Sequence, residues 1–361
     1  MASDPILTPA IIRAMPKIDL HRHLEGSLRL ESLLDIVQRF ELNLPATSLE
    51  TLRPLVQITN DPPNHDAFLS KFFVLRRFYR TPEVIHRLVY EVVADAALDN
   101  VKYLELRFSP QALSRERGFA IGEVTDWVID AVNQASRDYR IVVGLIVTLV
   151  RHDPIEQATH VARVAMERKN KGIVGLDLAG DEVRYPPEPF TPLFKEAREE
   201  GLGITIHAGE WTSARGVQQA LDELYADRIG HGIRTMENSK ILRMVLERMP
   251  TFEVCLTSNL QSGVVRELDH HPLVDMLDLG LNATINTDDP TVSNCTLSDE
   301  FEIAVNALGL SYQTLRNAIL VSARGAFLPK NGRFQLVTYF ENALPVDTPP
   351  ITESPILSMH A

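Results

Sequence analysis

Eight times along this chain a short run of apolar and β-branched residues ends in polar side chains and gives way to a segment with helical periodicity. The runs are Lys17–Leu20 leading into His21, VKYLELRFS from Val101, IVVGLIVTLVR from Ile141 and IVGLDLAGDE from Ile173. ITIHAGE from Ile204, RIGHGI from Arg228, TFEVCLTSN from Thr251 and NATINTDDP from Asn282 complete the set. Leu30, Leu33, Leu34 and Val37 share one helical face after the first run. Further helices are predicted over Pro82–Leu98, Ile121–Arg137, Ile155–Lys169, Pro192–Glu200, Ala214–Leu224, Ser239–Glu247 and Pro272–Leu277. Alternation of this kind makes a parallel sheet covered by helices, and eight such units predict a closed (β/α)8 TIM barrel, an α/β fold whose chemistry sits at the C-terminal strand ends. A doubly wound open sheet would gather its ligand at one switch point; here the polar endings fall on strands one, five, six and eight.

Two departures from the repeat shape the expectation. Pro45–Arg80 is too long for a simple connection and holds Asn60-Asp61-Pro62-Pro63 followed by FLSKFFVLRRFY, so it reads as a helical insertion after strand one, a lid or wall at the pocket mouth. Leu297–Leu308 and Tyr312–Ala326 read as extra C-terminal helices. The whole makes one domain over 1–345, with a Pro-, Ser- and Thr-rich tail over 346–361 expected to be poorly ordered.

A chain of 361 residues, 45% of them hydrophobic, can bury the core such a barrel requires. Its net charge of −12 disfavours nucleic acid or an anionic membrane as partner, since there is no cluster of Lys and Arg to release counterions; a small neutral substrate fits better. Cys255 and Cys295 form no C-x-x-C pair, which disfavours a disulfide framework or a thiolate metal site and suits the cytoplasm. The stretch MASDPILTPAIIRAMP has no basic start followed by a long apolar run, so no signal peptide is expected. Ile141–Val150, the longest apolar run, is about half of what a membrane helix needs and reads as a core strand.

The strand ends carry the chemistry. His21 and His23, two apart, point to one side of the strand, the barrel interior, where both imidazoles can reach one metal ion or simply hydrogen-bond as an interior pair. His207 at the fifth strand end, His231 at the sixth and Asp288 at the eighth converge on the same mouth, with Glu210 beside them as a possible proton donor. Imidazoles plus one carboxylate suit Zn²⁺ with a position left for water. His231 fits either a fifth metal ligand or a base beside that water. Asp288 and Asp289 are neighbours, so one is expected to bind metal and the other substrate. Gly180 would let backbone approach a flat ligand edge. Asp181 and Glu182 read as solvated rim charges without a catalytic role, Ser258 and Asn259 as hydrogen bonders of the pocket wall, and Arg22 as structural.

HRHLEGS, LDLAGDE, ITIHAGE, RIGHGI, CLTSN and INTDDP, in this order, resemble the adenosine deaminase branch of the amidohydrolase superfamily, over about Lys17 to Leu328. The resemblance implies one zinc per chain bound by His21, His23, His207 and Asp288. It also implies that Glu210 protonates purine N1, His231 acts on the attacking water and Asp289 meets purine N7, with His23, Glu25 and Gly180 also facing substrate. Two-metal relatives usually carry a modified lysine on strand four, and LDLAGDE has none. The expected reaction is hydrolytic deamination of adenosine and 2′-deoxyadenosine, as in purine salvage. Glu25 stands where adenosine deaminases commonly carry aspartate at the ribose 5′ side. The alternatives are therefore another 6-aminopurine, either adenine or a 5′-modified adenosine such as aminodeoxyfutalosine. The aromatic insert around Phe72, Phe73 and Phe78 is expected to close over the same end. A barrel that binds purine nucleosides without turnover is a second class, disfavoured by the intact set of ligands, acid and base, and hydrolysis of an amide or phosphoester is a third, disfavoured by the absence of a phosphate-binding glycine loop or second-metal lysine.

Overall fold

The structure, a computed structural model, describes residues 7–346 and residue 357. Eight strands form one parallel sheet in sequence order: β1 (Lys17–His23), β2 (Val101–Phe108), β3 (Val142–Val150), β4 (Ile173–Ala179), β5 (Gly203–Ala208), β6 (Arg228–His231), β7 (Thr251–Val254) and β8 (Asn282–Ile285). The seam between first and last strands is made beyond the end of β8. There Asp288 N–H donates to the His21 carbonyl and His23 N–H donates to the Asp288 carbonyl, each at 2.8 Å. The (β/α)8 barrel expected from the alternation is therefore present. Helices clothe it in the predicted places: Leu30–Arg39 buries Leu33, Ile36 and Val37, and Pro82–Leu98 starts at Pro82 with its end capped by the Thr81 hydroxyl. Among the described residues no helix is long and apolar enough to cross a membrane.

The insertion is helical, with helices over Leu49–Val56 and His65–Leu75 and a 3₁₀ turn over Arg76–Phe78. Three expectations are corrected. The seventh strand stops at Val254, and CLTSN turns into a helix, Leu256–Gln261, because the buried carboxylate of Glu300 accepts the amides of Leu256 (2.8 Å) and Thr257 (3.3 Å) at its start. The fourth and eighth strands also end early, at Ala179 and Ile285; Gly180 leaves the sheet at φ +97°. A further helix, Lys330–Ala343, follows the two predicted C-terminal ones; it buries only Leu336 and Phe340, too sparse a stripe to announce a helix. The expected tail lies outside the described residues except for Val346 and Leu357, and Leu357 is buried.

The barrel interior is charged where branched apolar side chains would normally layer. Arg107, Arg228, Glu105, Glu253 and Asp177 are fully buried. Arg228 binds Glu105 (2.5 Å) and Glu253 (2.6 Å), and Arg107 binds Glu253 (2.7 Å). Each charge has an opposite partner within reach, as burial at such depth demands.

Candidate active site

Two strands, β1 and β5, and the segment after β8 bring His21, His23, His207 and Asp288 together, with one ligand atom from each at mutual separations no larger than 4.8 Å. His23 Nε2 lies 3.2 Å from His207 Nε2, His21 Nε2 lies 3.2 Å from Asp288 Oδ1, and His23 Nε2 lies 3.3 Å from the same oxygen. These spans match the edge of about 3.3 Å that metal bonds of ~2.0 Å produce in a tetrahedral set. At His21 and His207 the ring nitrogen facing the cluster is left with its lone pair, because the opposite nitrogen is taken. His21 Nδ1 faces Glu253 Oε2 at 2.7 Å and His207 Nδ1 faces Asp177 Oδ1 at 2.9 Å, so each Nδ1–H donates to a carboxylate and each Nε2 keeps its lone pair. His21 Nε2 is buried and has no hydrogen-bond partner. Burial alone would raise the Asp288 carboxyl, but the close approach of His21 and the surrounding imidazoles hold it well below its usual value, so it is an anion. The donor set fits a borderline divalent ion.

Glu210 follows β5 and points its carboxyl to within 3.6 Å of His231 Nε2. Burial, then the negative charges of Asp288 and Glu182, push the Glu210 carboxyl well above the ordinary range, which favours the protonated form that can donate. Asp289 is raised in the same way, by burial and then by Asp288 and Glu25, and one of its oxygens is buried without a partner. Burial pushes Glu25 up to about 7 against the amide of Ser109, which donates to it at 2.8 Å. His231 and Asp288 both have positive φ, +58° and +64°, a backbone conformation that costs energy outside glycine.

These groups line one cavity of about 370 Å³, together with Gly180, Thr148, His152, Trp211 and the insertion residues Phe68, Phe72 and Phe73. All of the predicted site residues, His21 excepted, reach this cavity; His21 lies just beneath it in the ligand cluster. Phe78 does not; it is buried in the core. Ser258 and Asn259 are behind the site instead of on its wall, since the helix that replaces the end of the seventh strand turns them inward. Ser258 donates to Asp288 Oδ2 at 2.6 Å, and Asn259 meets His231 Nδ1 at 3.0 Å. Asp181 and Glu182 are buried, not solvated. Glu182 accepts the amides of Gly209, Glu210, Trp211 and Thr212 at 2.7 to 3.3 Å, so the loop that carries Glu210 is wrapped around its carboxylate. Sequence reasoning passed over Glu253 and Asp177; the available signal for both was a lone acid inside an otherwise apolar strand run.

The family model described as adenosine deaminase matches residues 16–342. An adenosine deaminase of Klebsiella pneumoniae is 37% identical over 324 residues, which cover 90% of this chain and 97% of that one. Among solved structures, adenine deaminase from Arthrobacter aurescens superposes with a TM-score of 0.84 at 29% identity, covering 91% of this chain and 99% of the other. An amidohydrolase from Burkholderia ambifaria with bound Zn gives a TM-score of 0.85 at 25% identity, covering 94% of each chain.

Proposed function

The chain belongs to the adenosine deaminase family and is a hydrolytic deaminase acting on an amidine C–N bond, and we propose that its substrates are adenosine and 2′-deoxyadenosine and its metal is one zinc ion. The observation that carries the reading is the meeting of three imidazoles and the Asp288 carboxylate beside Glu210, whose carboxyl is pushed well above its ordinary range, at one cavity. Zinc is favoured over a hard cation by the nitrogen-rich donor set, and the B. ambifaria relative carries zinc.

Zinc held by His21, His23, His207 and Asp288 would supply a water of lowered pKa, hence a nucleophile at neutral pH. The remaining work falls to the protein. Attack at C6 of the 6-aminopurine pushes an electron pair onto N1, and the Glu210 carboxyl delivers a proton there, so the ring does not become an anion. Protonated Asp289 donates to N7, an acceptor that a carboxylate would repel. Gly180 lets its backbone approach the purine edge, His23 doubles as a wall of the substrate site, and His231 acts on the attacking oxygen. Glu25 faces the sugar, and the apolar wall of Phe68, Phe72 and Phe73 limits water.

One observation favours a second reading, a 5′-extended adenosine: Arg76 lines the cavity with a buried Nε that has no hydrogen-bond partner, alongside Arg115 and Arg184. A comparison of kcat/KM for adenosine, adenine, adenosine 5′-phosphate and a 5′-extended adenosine separates the two. Adenosine is expected to lead. An advantage of tenfold or more for another substrate, about 1.4 kcal/mol of transition-state preference, overturns the assignment to adenosine. Elemental analysis of the active protein should give one zinc per chain.

A further inference from the structure

Behind the cavity a line of hydrogen bonds runs from a backbone amide to His231. Leu273 N–H donates to His271 Nδ1 at 3.1 Å. An amide nitrogen can only donate, so Nδ1 holds a lone pair and the ring proton of His271 lies on Nε2. That Nε2 meets Asn259 Oδ1 at 3.2 Å, and a carboxamide oxygen can only accept. The other arm of Asn259, its Nδ2, can only donate, and it meets His231 Nδ1 at 3.0 Å. His231 Nδ1 therefore accepts, and the proton of His231 lies on Nε2, the atom that faces Glu210 and Asp288. All three side chains are buried, so no water competes for these bonds. Burial holds His271 down at about 4, so that the ring is neutral as the line requires.

The contrast with the neighbouring histidines is built into the barrel. His21 and His207 have carboxylates at Nδ1 and so turn lone pairs toward the ligand cluster; His231 has a carboxamide N–H there and turns a proton toward the reacting groups. We infer that Asn259 and His271 are positioning residues that fix His231 as its Nε2–H tautomer, so that His231 serves deamination as a hydrogen-bond donor to the attacking oxygen, neither as its base nor as a metal ligand. The inference rests on the proposed reading that His231 stands beside that oxygen. A donor aimed where negative charge develops is useful throughout attack, and it costs no reorganisation because the proton is already in place.

The test combines tautomer and rate. In metal-loaded protein labelled with ¹⁵N in its histidine rings, the nitrogen spectra of His231 and His271 should both show a protonated Nε2. Asn259→Asp replaces the donor with an acceptor and should move the His231 proton to Nδ1. It should lower kcat for adenosine roughly 10²-fold with metal content retained, the usual cost of losing one such donor. His271→Gln can still accept from Leu273 and donate to Asn259, so it should keep kcat within about threefold, whereas His271→Phe, which cannot, should lose it. A wild-type His231 protonated on Nδ1, or an Asn259→Asp enzyme as fast as wild type, overturns the inference. If Asn259→Asp does not fold, the His271 pair decides: equal rates for the Gln and Phe variants overturn it. His231→Ala separates the two levels, since near-normal turnover there removes His231 from the proposed reaction while the spectra still report the tautomer.

Discussion

Glu253 Oε2 lies 2.7 Å from His21 Nδ1, with both side chains fully buried, and the same oxygen lies 2.7 Å from Arg107 Nη2. The carboxylate thus fixes which nitrogen of His21 is free and ties the ligand cluster to the charged floor of the barrel. Glu253→Gln should lower metal affinity ~10–100-fold, the usual effect of removing such an orienting carboxylate, as read by competition with a chelator of known affinity. Unchanged affinity would show that His21 is oriented by packing alone.

Glu210→Gln keeps the shape of the side chain but cannot transfer a proton. The variant should fold and hold metal like the wild type while kcat falls by roughly three or more orders of magnitude. Steady-state kinetics alongside metal analysis checks both halves, and near-normal turnover would remove Glu210 from the mechanism.

Gly26 offers space that only hydrogen can leave. A Cβ there would stand 1.8 Å from Asp289 Oδ1, and the Gly26 carbonyl is held by Thr291 N–H at 2.7 Å, so the backbone cannot retreat easily. Gly26→Ala should push Asp289 out of place and lower kcat/KM for adenosine ~10²-fold, the scale of a displacement of about 1 Å, without loss of metal.

Glu300 gives a stability prediction with a definite sign. Burial pushes its carboxyl up to about 7 despite the amides of Leu256 and Thr257 that favour its charged form. The folded state therefore binds this proton more tightly than the unfolded chain. The resulting stability is complete below about pH 4.5 and is lost as pH rises to about 7. Glu300→Gln has no proton to lose, so the Tm of wild type minus that of the variant should fall between about pH 5 and about pH 8. Taking the difference cancels Glu25, which titrates in the same range.

The parts of the site that were legible are those set by local chain geometry. A histidine or acid at the end of an apolar strand points into a barrel mouth whatever its distant neighbours are, so His21, His23, His207, Glu210, His231 and Asp288 could be assembled from strand ends alone. What was illegible depends on contacts between remote strands. Glu253 reads as one acid in FEVCL until the barrel brings it to His21, 232 residues away in sequence. Glu182 reads as a surface charge until four amides from the next strand's loop close around it. Ser258 and Asn259 were assigned to the wall because the apolar run into CLTSN has no visible break; the helix start that turns them inward is supplied by Glu300, from another part of the chain.

The seam of the barrel adds a constraint of assembly. Every other neighbouring pair of strands is joined through one crossover, but β1 meets the segment after β8 only when most of the chain has been made; Leu20 N–H and the Asn286 side chain, bonded at 2.9 Å, are 266 residues apart. Asp288 closes this seam with its backbone and completes the ligand cluster with its carboxylate. A nascent chain emerging from the ribosome therefore carries three imidazoles with no fourth ligand and an open barrel edge, and acquires both missing parts with the same residue. Metal bound across His21 and Asp288 clasps the two ends of the barrel, so loss of the ion should speed amide hydrogen exchange at His23 and Asp288 ahead of the other strand pairs.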